Sequence, residues 1–191
     1  MKRFLILAIL LFVSVSLTDA RMNVGVVGGG GGAAAVCASY LSNTTHDNSI
    51  TQGGTGETYA GQVDYIPSGN HTICQIDYYV HSVTGNVSAK VHNMYIFTLT
   101  GNDLNTQVGK SDDKTGVAVG SNTFTFTTKP TLTNGTQYAI VIGSAEDASN
   151  KIAIDIKGGS TTFGNIVGNW TSAGVKVSSY SGYTETMVLY E

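Results

Sequence analysis

Apolar residues recur at alternate positions along much of this chain, and the longest such stretch runs from Ile73 to Leu99. It reads ICQIDYYVHSV, then TGN, then VSAKVHNMYIFTL, two alternating runs joined by Thr84, Gly85 and Asn86, which predicts a β-hairpin. Strand side chains point to opposite faces in turn, so Cys74, Ile76, Tyr78 and Val80 share one face, with Gln75, Asp77, Tyr79 and His81 on the other. In the second run Val87, Ala89 and Val91 are expected inward, and Ser88, Lys90 and His92 toward water. One covered face and one open face is the pattern of an antiparallel sandwich rather than of a parallel α/β sheet.

Further strands are expected at Tyr59 to Ile66, stopped by Pro67-Ser68-Gly69-Asn70, and at Ser121 to Thr128, with Phe124 and Phe126 inward. Tyr138, Ile140 and Ile142 form the next inward set, then Ile152, Ile154 and Ile156, and Thr186 to Tyr190 reads as a short closing strand. Val36 to Leu41 can add an edge strand, whereas Asn43 to Glu57 is polar and loop-like. Thr100 to Gly120 reads as a long connection with at most one short strand, and Gly158 to Gly182 as a second loop-like excursion. No stretch carries helical periodicity. About eight strands at this spacing predict an all-β, two-sheet antiparallel β-sandwich of jelly-roll type.

The first residues differ in kind. Lys2 and Arg3, the apolar run Phe4 to Leu17 and the small residues of Thr18-Asp19-Ala20 predict a signal peptide over residues 1–20, cleaved after Ala20. The run is shorter than the roughly 20 apolar residues a membrane span needs, so a secreted or cell-surface product with no membrane span after cleavage is expected over an uncleaved anchor. Residues 21–36 follow as a Gly-rich spacer, and 37–191 as the β-sandwich domain. Val24 to Ala33 does fit the G-x-G-x-x-G/A dinucleotide fingerprint, but SNTTHDNSITQGGTGE follows where a second strand and its acidic residue belong.

Charged residues make up 12% of the chain, against about 25% in an average soluble domain. The net charge is −3, and no Lys/Arg cluster occurs beyond the first three residues, which argues against nucleic acid or anionic membrane as a partner. Glycine, at 24 residues, suits tight turns between strands. Two cysteines, Cys37 and Cys74, can pair in an oxidising compartment or stay free, Cys74 then acting as a small buried hydrophobe.

Chemistry-bearing residues are sparse. His46, His71, His81 and His92 show no metal-ligand spacing, although His81 and His92 are expected near one another on the open face of the hairpin, lacking a third ligand. Asp112 and Asp113 share a turn-rich loop and are candidates for a structural Ca²⁺, set against an ordinary role as solvated turn residues; no other cofactor is implied. Trp170, Tyr180 and Tyr183 lie in or beside turn-rich sequence, where aromatic faces can stack on sugars, although a single Trp serves equally as a core plug. Asn43, Asn70, Asn86, Asn134 and Asn169 each open an N-x-[ST] pattern. No nucleophile with a base, and no acid pair, can be nominated, so no enzymatic activity is expected.

Gly61-Gln62, Ile76-Asp77-Tyr78-Tyr79-Val80, Gly85 to Val91, Phe124-Thr125-Phe126 and Leu132-Thr133-Asn134-Gly135-Thr136-Gln137-Tyr138-Ala139-Ile140-Val141-Ile142 together resemble the β-sandwich modules of exported bacterial surface proteins and of phage structural proteins, including those called choice-of-anchor domains. The resemblance spans about two thirds of the chain. It implies a jelly-roll-like, non-catalytic extracellular domain and carries no ligand or catalytic residue with it. The expected function is recognition or adhesion directed at a glycan or cell-surface component; the alternative is a structural subunit of an extracellular assembly or phage particle that associates with itself.

Overall fold

The structure, a computed structural model, describes residues 37–52, 59–144 and 149–191; the expected signal peptide and glycine spacer lie outside the described residues. The strands are β1 (Ser39–Asn43), β2 (Asn48–Gln52), β3 (Tyr59–Tyr65), β4 (His71–Thr72), β5 (Gln75–Thr84), β6 (His92–Thr100), β7 (Asp103–Lys110) and β8 (Gly120–Thr125). They continue with β9 (Thr131–Leu132), β10 (Tyr138–Ser144), β11 (Lys151–Gly158), β12 (Ile166–Trp170), β13 (Lys176–Ser181), β14 (Tyr183–Glu185) and β15 (Met187–Tyr190). All pairings between them are antiparallel. The chain is an all-β sandwich.

One layer has seven strands, ordered β1-β15-β5-β11-β14, with β2 on β11 and β8 on β5. The other has six, ordered β13-β12-β3-β10-β6-β7. The core between them takes Ile76, Tyr78 and Val80 from β5, Ile152, Ile154 and Ile156 from β11, and Met94, Ile96, Ile140 and Ile142 from the facing sheet, all at most 1% exposed. These are the residues that the period-two pattern turns inward.

The Ile73–Leu99 hairpin does not form. β5 and β6 belong to different sheets, and the segment between them crosses the sandwich through a 3-10 turn at Val87–Ala89. Val87 plugs the core at 1% exposure, while Val91 is 44% exposed and His92 is buried, which reverses the expected facing of both. Gly85 sits at φ +78, and a Cβ there would lie 2.1 Å from the Ser149 carbonyl oxygen. Its small size lets the crossing pack against residues 149–150, where Asn86 N–H donates to Asn150 Oδ1.

The hairpin that does form is β6–β7, turning at Gly101 (φ +63) inside the expected long connection. Strands β12 and β13 likewise occupy the expected Gly158–Gly182 loop, and β2 the expected polar loop after Asn43. Nor is the outer face of the six-stranded sheet open. Val63, Phe97, Leu104, Ala139, Val141 and Trp170 form a second buried cluster there, edged by Tyr59, Tyr95, Leu99 and Ile166.

Cys37 and Cys74 are joined in a disulfide, Cα to Cα 6.1 Å, which ties the segment before β1 to the start of β5. Gln62 is a second tie, fully buried on β3. Its Nε2 donates to Asp64 Oδ1 (2.8 Å) and to the Ile166 carbonyl (2.9 Å), and its Oε1 accepts from Glu185 N–H (2.9 Å) and Thr184 Oγ1 (3.2 Å). One side chain thus stitches the six-stranded sheet to β14 of the other layer.

Candidate functional site

The sandwich opens along one side, between β2 of the seven-stranded sheet and β12–β13 of the six-stranded one, into a groove of about 530 Å³. Register builds its wall. Asn169 pairs with Ser178 and Val167 with Tyr180, and directly paired residues of antiparallel strands share a face, so Asn169, Ser178 and Tyr180 all look into the opening. Asn48, Thr51 and Tyr183 complete the polar lining, over a floor that includes Ile50 and Ile156. The Tyr183 ring rests on its register partner Gly158, whose missing side chain leaves the space: a Cβ there would stand 3.4 Å from Tyr183 Cε1.

Among the described residues no charged side chain lines the groove. Its polar groups are amides, hydroxyls and phenols. Asn48 Nδ2 reaches the Tyr183 hydroxyl at 3.5 Å, and Asn169 Nδ2 makes long contacts to the Thr51 carbonyl (3.4 Å) and Ser178 Oγ (3.3 Å). Among the described residues the buried Asn169 Oδ1 has no hydrogen-bond donor, and a buried acceptor left unpaired costs about 1–3 kcal/mol.

Of the three expected aromatic residues, Tyr180 and Tyr183 meet at this groove and Trp170 does not. Adjacent strand residues face opposite ways, so Asn169 takes the groove side of β12 and Trp170 the other. Trp170 is 0% exposed in the outer cluster and donates Nε1–H to the Asn102 carbonyl at 2.9 Å. It is a core plug with no face to offer a ligand. Nothing in the sequence points to Asn48 or Ser178, and Asn169 stands out there only as the start of an N-x-[ST] pattern; it sits beside the one tryptophan, and only the strand register shows which of the two neighbours faces the groove. The same burial, 4% exposure for Asn169 and 7% for Asn43, removes both from the accessible N-x-[ST] positions.

Asp112 and Asp113 do not converge. Asp112 accepts from the hydroxyls of Thr125 and Thr127, both at 3.0 Å, whereas Asp113 accepts from Asn93 Nδ2 (2.9 Å) and Lys110 Nζ (3.2 Å). Those two donors hold the Asp113 carboxyl below its usual range, the Asn93 hydrogen bond first. Each carboxylate has protein donors of its own, and among the described residues no three His, Cys, Asp or Glu side chains stand together as metal ligands.

His81 and His92 are separated as well, since they stand on different sheets. The partner His81 does find is Asp155 on β11, with Nδ1 2.9 Å from Oδ1. His46, from the turn between β1 and β2, approaches the other oxygen of the same carboxylate, Nδ1 to Oδ2 3.7 Å. Sequence spacing could not have grouped residues 46, 81 and 155; the β2–β11 and β5–β11 pairings do.

A second concavity, about 480 Å³, is lined by Tyr40, Tyr65, Ile66 and His71 among others. Its polar groups are already engaged: the Tyr40 and Tyr65 hydroxyls bond to each other, and His71 stacks on Tyr40 and pairs with Glu191 at 2.7 Å.

Comparison with family models, curated proteins and solved structures returns no match. Among the described residues no helix is long and apolar enough to cross a membrane.

Proposed function

We propose that this chain is an exported, non-catalytic recognition module whose lateral groove binds an uncharged glycan at a cell surface or on an extracellular polymer. The observation that carries the reading is the composition of the groove wall. Tyr180, 47% exposed, and Tyr183 present aromatic rings beside Asn48, Asn169 and Ser178, with no charge among the described lining residues. Sugars offer the complement, apolar C–H faces for stacking and hydroxyls for amide and hydroxyl partners. The disulfide and the low charge content support work outside the cell. The jelly-roll kinship belongs to this same reading.

The test is titration of the oxidised protein with a panel of neutral oligosaccharides and polysaccharides. Saturable binding weakened about tenfold or more by Tyr180→Ala, with the melting temperature unchanged, and by Tyr183→Ala, measured where that variant is still folded, supports the reading. Absence of binding across the panel, or binding indifferent to both substitutions, refutes it.

A structural subunit is the second reading, and one observation favours it. β13 is a sheet edge carrying Val177 at 50% and Tyr180 at 47% exposure, with Val175 at 54% just before it, and an apolar edge strand is a template for pairing with another copy. A discrete oligomer in solution that Val177→Lys dissociates would select this reading over the first.

A further inference from the structure

We infer that Gln62 and Thr184 join in an intramolecular ester, a covalent cross-link between the two sheets made when the Thr184 hydroxyl attacks the Gln62 side-chain amide and ammonia leaves. This cross-link is independent of the glycan reading.

The two side chains meet in the core. Gln62, on β3 of the six-stranded sheet, and Thr184, on β14 of the seven-stranded one, are each 0% exposed. Thr184 Oγ1 donates to Gln62 Oε1 at 3.2 Å. The amide carbon is one bond beyond that oxygen, so a small side-chain rotation brings the hydroxyl to the contact of about 3–3.5 Å from which bonds form.

The neighbours prepare the amide as an acyl donor. Its carbonyl oxygen also accepts the Glu185 backbone N–H at 2.9 Å, a fixed donor placed where negative charge develops on attack. Its nitrogen, the leaving group, is held by Asp64 Oδ1 (2.8 Å) and by the Ile166 carbonyl (2.9 Å). Asp64 is a positioning residue, clamped in turn by the N–H groups of Asn165, on Oδ2 at 2.9 Å, and of Ile166, on Oδ1 at 2.9 Å. On the nucleophile's side, the Phe163 N–H donates to Thr184 Oγ1 at 3.2 Å, which leaves the hydroxyl hydrogen for Gln62.

The step balances without a co-reactant. The Oγ1–Cδ bond forms and the Cδ–Nε2 bond breaks; the nitrogen takes that electron pair and the hydroxyl proton and departs as ammonia. Escape of ammonia to solvent draws the exchange forward, and burial of both residues keeps water from hydrolysing the ester. The product ties together residues 122 positions apart in sequence, through a bond that reductants do not open as they open Cys37–Cys74.

The experiment is intact-mass and peptide-mapping spectrometry of the tag-free protein, purified folded and then unfolded and reduced. The expected mass is that of the mature chain less one ammonia, with a pair of peptides joined through Gln62 and Thr184 that hydroxylamine separates. Thr184→Ser should keep the deficit and Thr184→Val should abolish it. Wild-type protein at its full mass, Gln62 recovered unlinked as Gln or Glu, or a deficit that persists in Thr184→Val overturns the ester. The wild-type measurement decides even where Thr184→Val fails to fold.

Discussion

Tyr78 and Glu185 lie together in the core, each fully buried, and the phenol and the carboxyl are polar neighbours of one another without the geometry of a well-formed hydrogen bond. The Glu185 main chain, by contrast, is well served: its N–H donates to Gln62 and its carbonyl accepts from Asn43 Nδ2 at 2.7 Å. Burial pushes the Glu185 carboxyl well above its usual range, which favours its neutral acid form in the folded protein. Burial likewise pushes up the Tyr78 phenol, and the neighbouring carboxyl adds to that push.

The sign of the resulting pH dependence is fixed. A carboxyl whose folded pKa is raised is neutral in both states at low pH, and stability is lost as pH climbs from the unfolded value near 4.5 through the raised folded one. Urea denaturation should therefore show the protein less stable at pH 8 than at pH 4.5. Glu185→Gln should remove that decline, because a buried amide does not ionise, and leave the variant about equally stable at pH 4.5 and pH 8. A variant that keeps the wild-type decline would place its cause in another group.

The Cys37–Cys74 bridge closes a loop of 37 residues in sequence separation. In the chain-entropy picture a loop of that size is worth about 4 kcal/mol through the unfolded state. Reduction, or the double Cys→Ser variant, should lower stability by about 2–4 kcal/mol, measured by denaturant unfolding with and without reductant. The loss should leave β5 in place, because its own ladders to β8, β15 and β11 do not pass through the sulfurs.

Gln62 is satisfied by four hydrogen bonds to Asp64, Ile166, Thr184 and Glu185. Gln62→Leu keeps the volume but leaves a buried N–H and a buried carbonyl without partners. At about 1–3 kcal/mol for each orphaned group, a loss of about 2–5 kcal/mol is expected in thermal or urea unfolding. Gln62→Glu is expected to be nearly as costly, since it replaces the donor that Asp64 and the Ile166 carbonyl require.

The parts of this fold legible in sequence are those where period two coincides with burial. Ile152, Ile154 and Ile156, or Phe124 and Phe126, face inward as the alternation demands. Where both faces of a strand are covered, or where a strand is short and polar, the signal fades. Thus β7 (Asp103–Lys110) buries only Leu104 and Gly109, and β12 carries a glycine, so both read as loops. The false hairpin has a different cause. Alternation reports that two strands exist and which face is apolar, but not whether a tripeptide such as Thr84-Gly85-Asn86 folds them together or sends the chain to the opposite layer. In the crossing Val87 is buried as alternation expects, whereas Val91 is 44% exposed and His92 buried, a facing the alternation does not anticipate. The groove shows the same limit: Tyr180 and Tyr183 are visible as aromatic residues in polar sequence, whereas Asn48 and Asn169 become its wall only through pairings across more than a hundred residues.

Trp170 and Tyr180 separate stability from recognition. Trp170 is 0% exposed, packs with Val63, Phe97, Leu104 and Val141, and spends its indole N–H on Asn102. Removing a buried aromatic side chain leaves a cavity, and Trp170→Ala should cost about 3–5 kcal/mol. Its fluorescence should be blue-shifted and resistant to iodide in the native protein, and a bound sugar should not quench it directly. Tyr180, on the edge strand, has no such packing to lose, so Tyr180→Ala should change stability by less than about 0.5 kcal/mol while weakening glycan binding. The pair of variants, measured by denaturation and by titration with the same oligosaccharide, distinguishes a groove that binds from a core that merely holds it open. A Trp170→Phe variant that folds normally yet loses binding would place the recognition surface on the outer face of the six-stranded sheet instead.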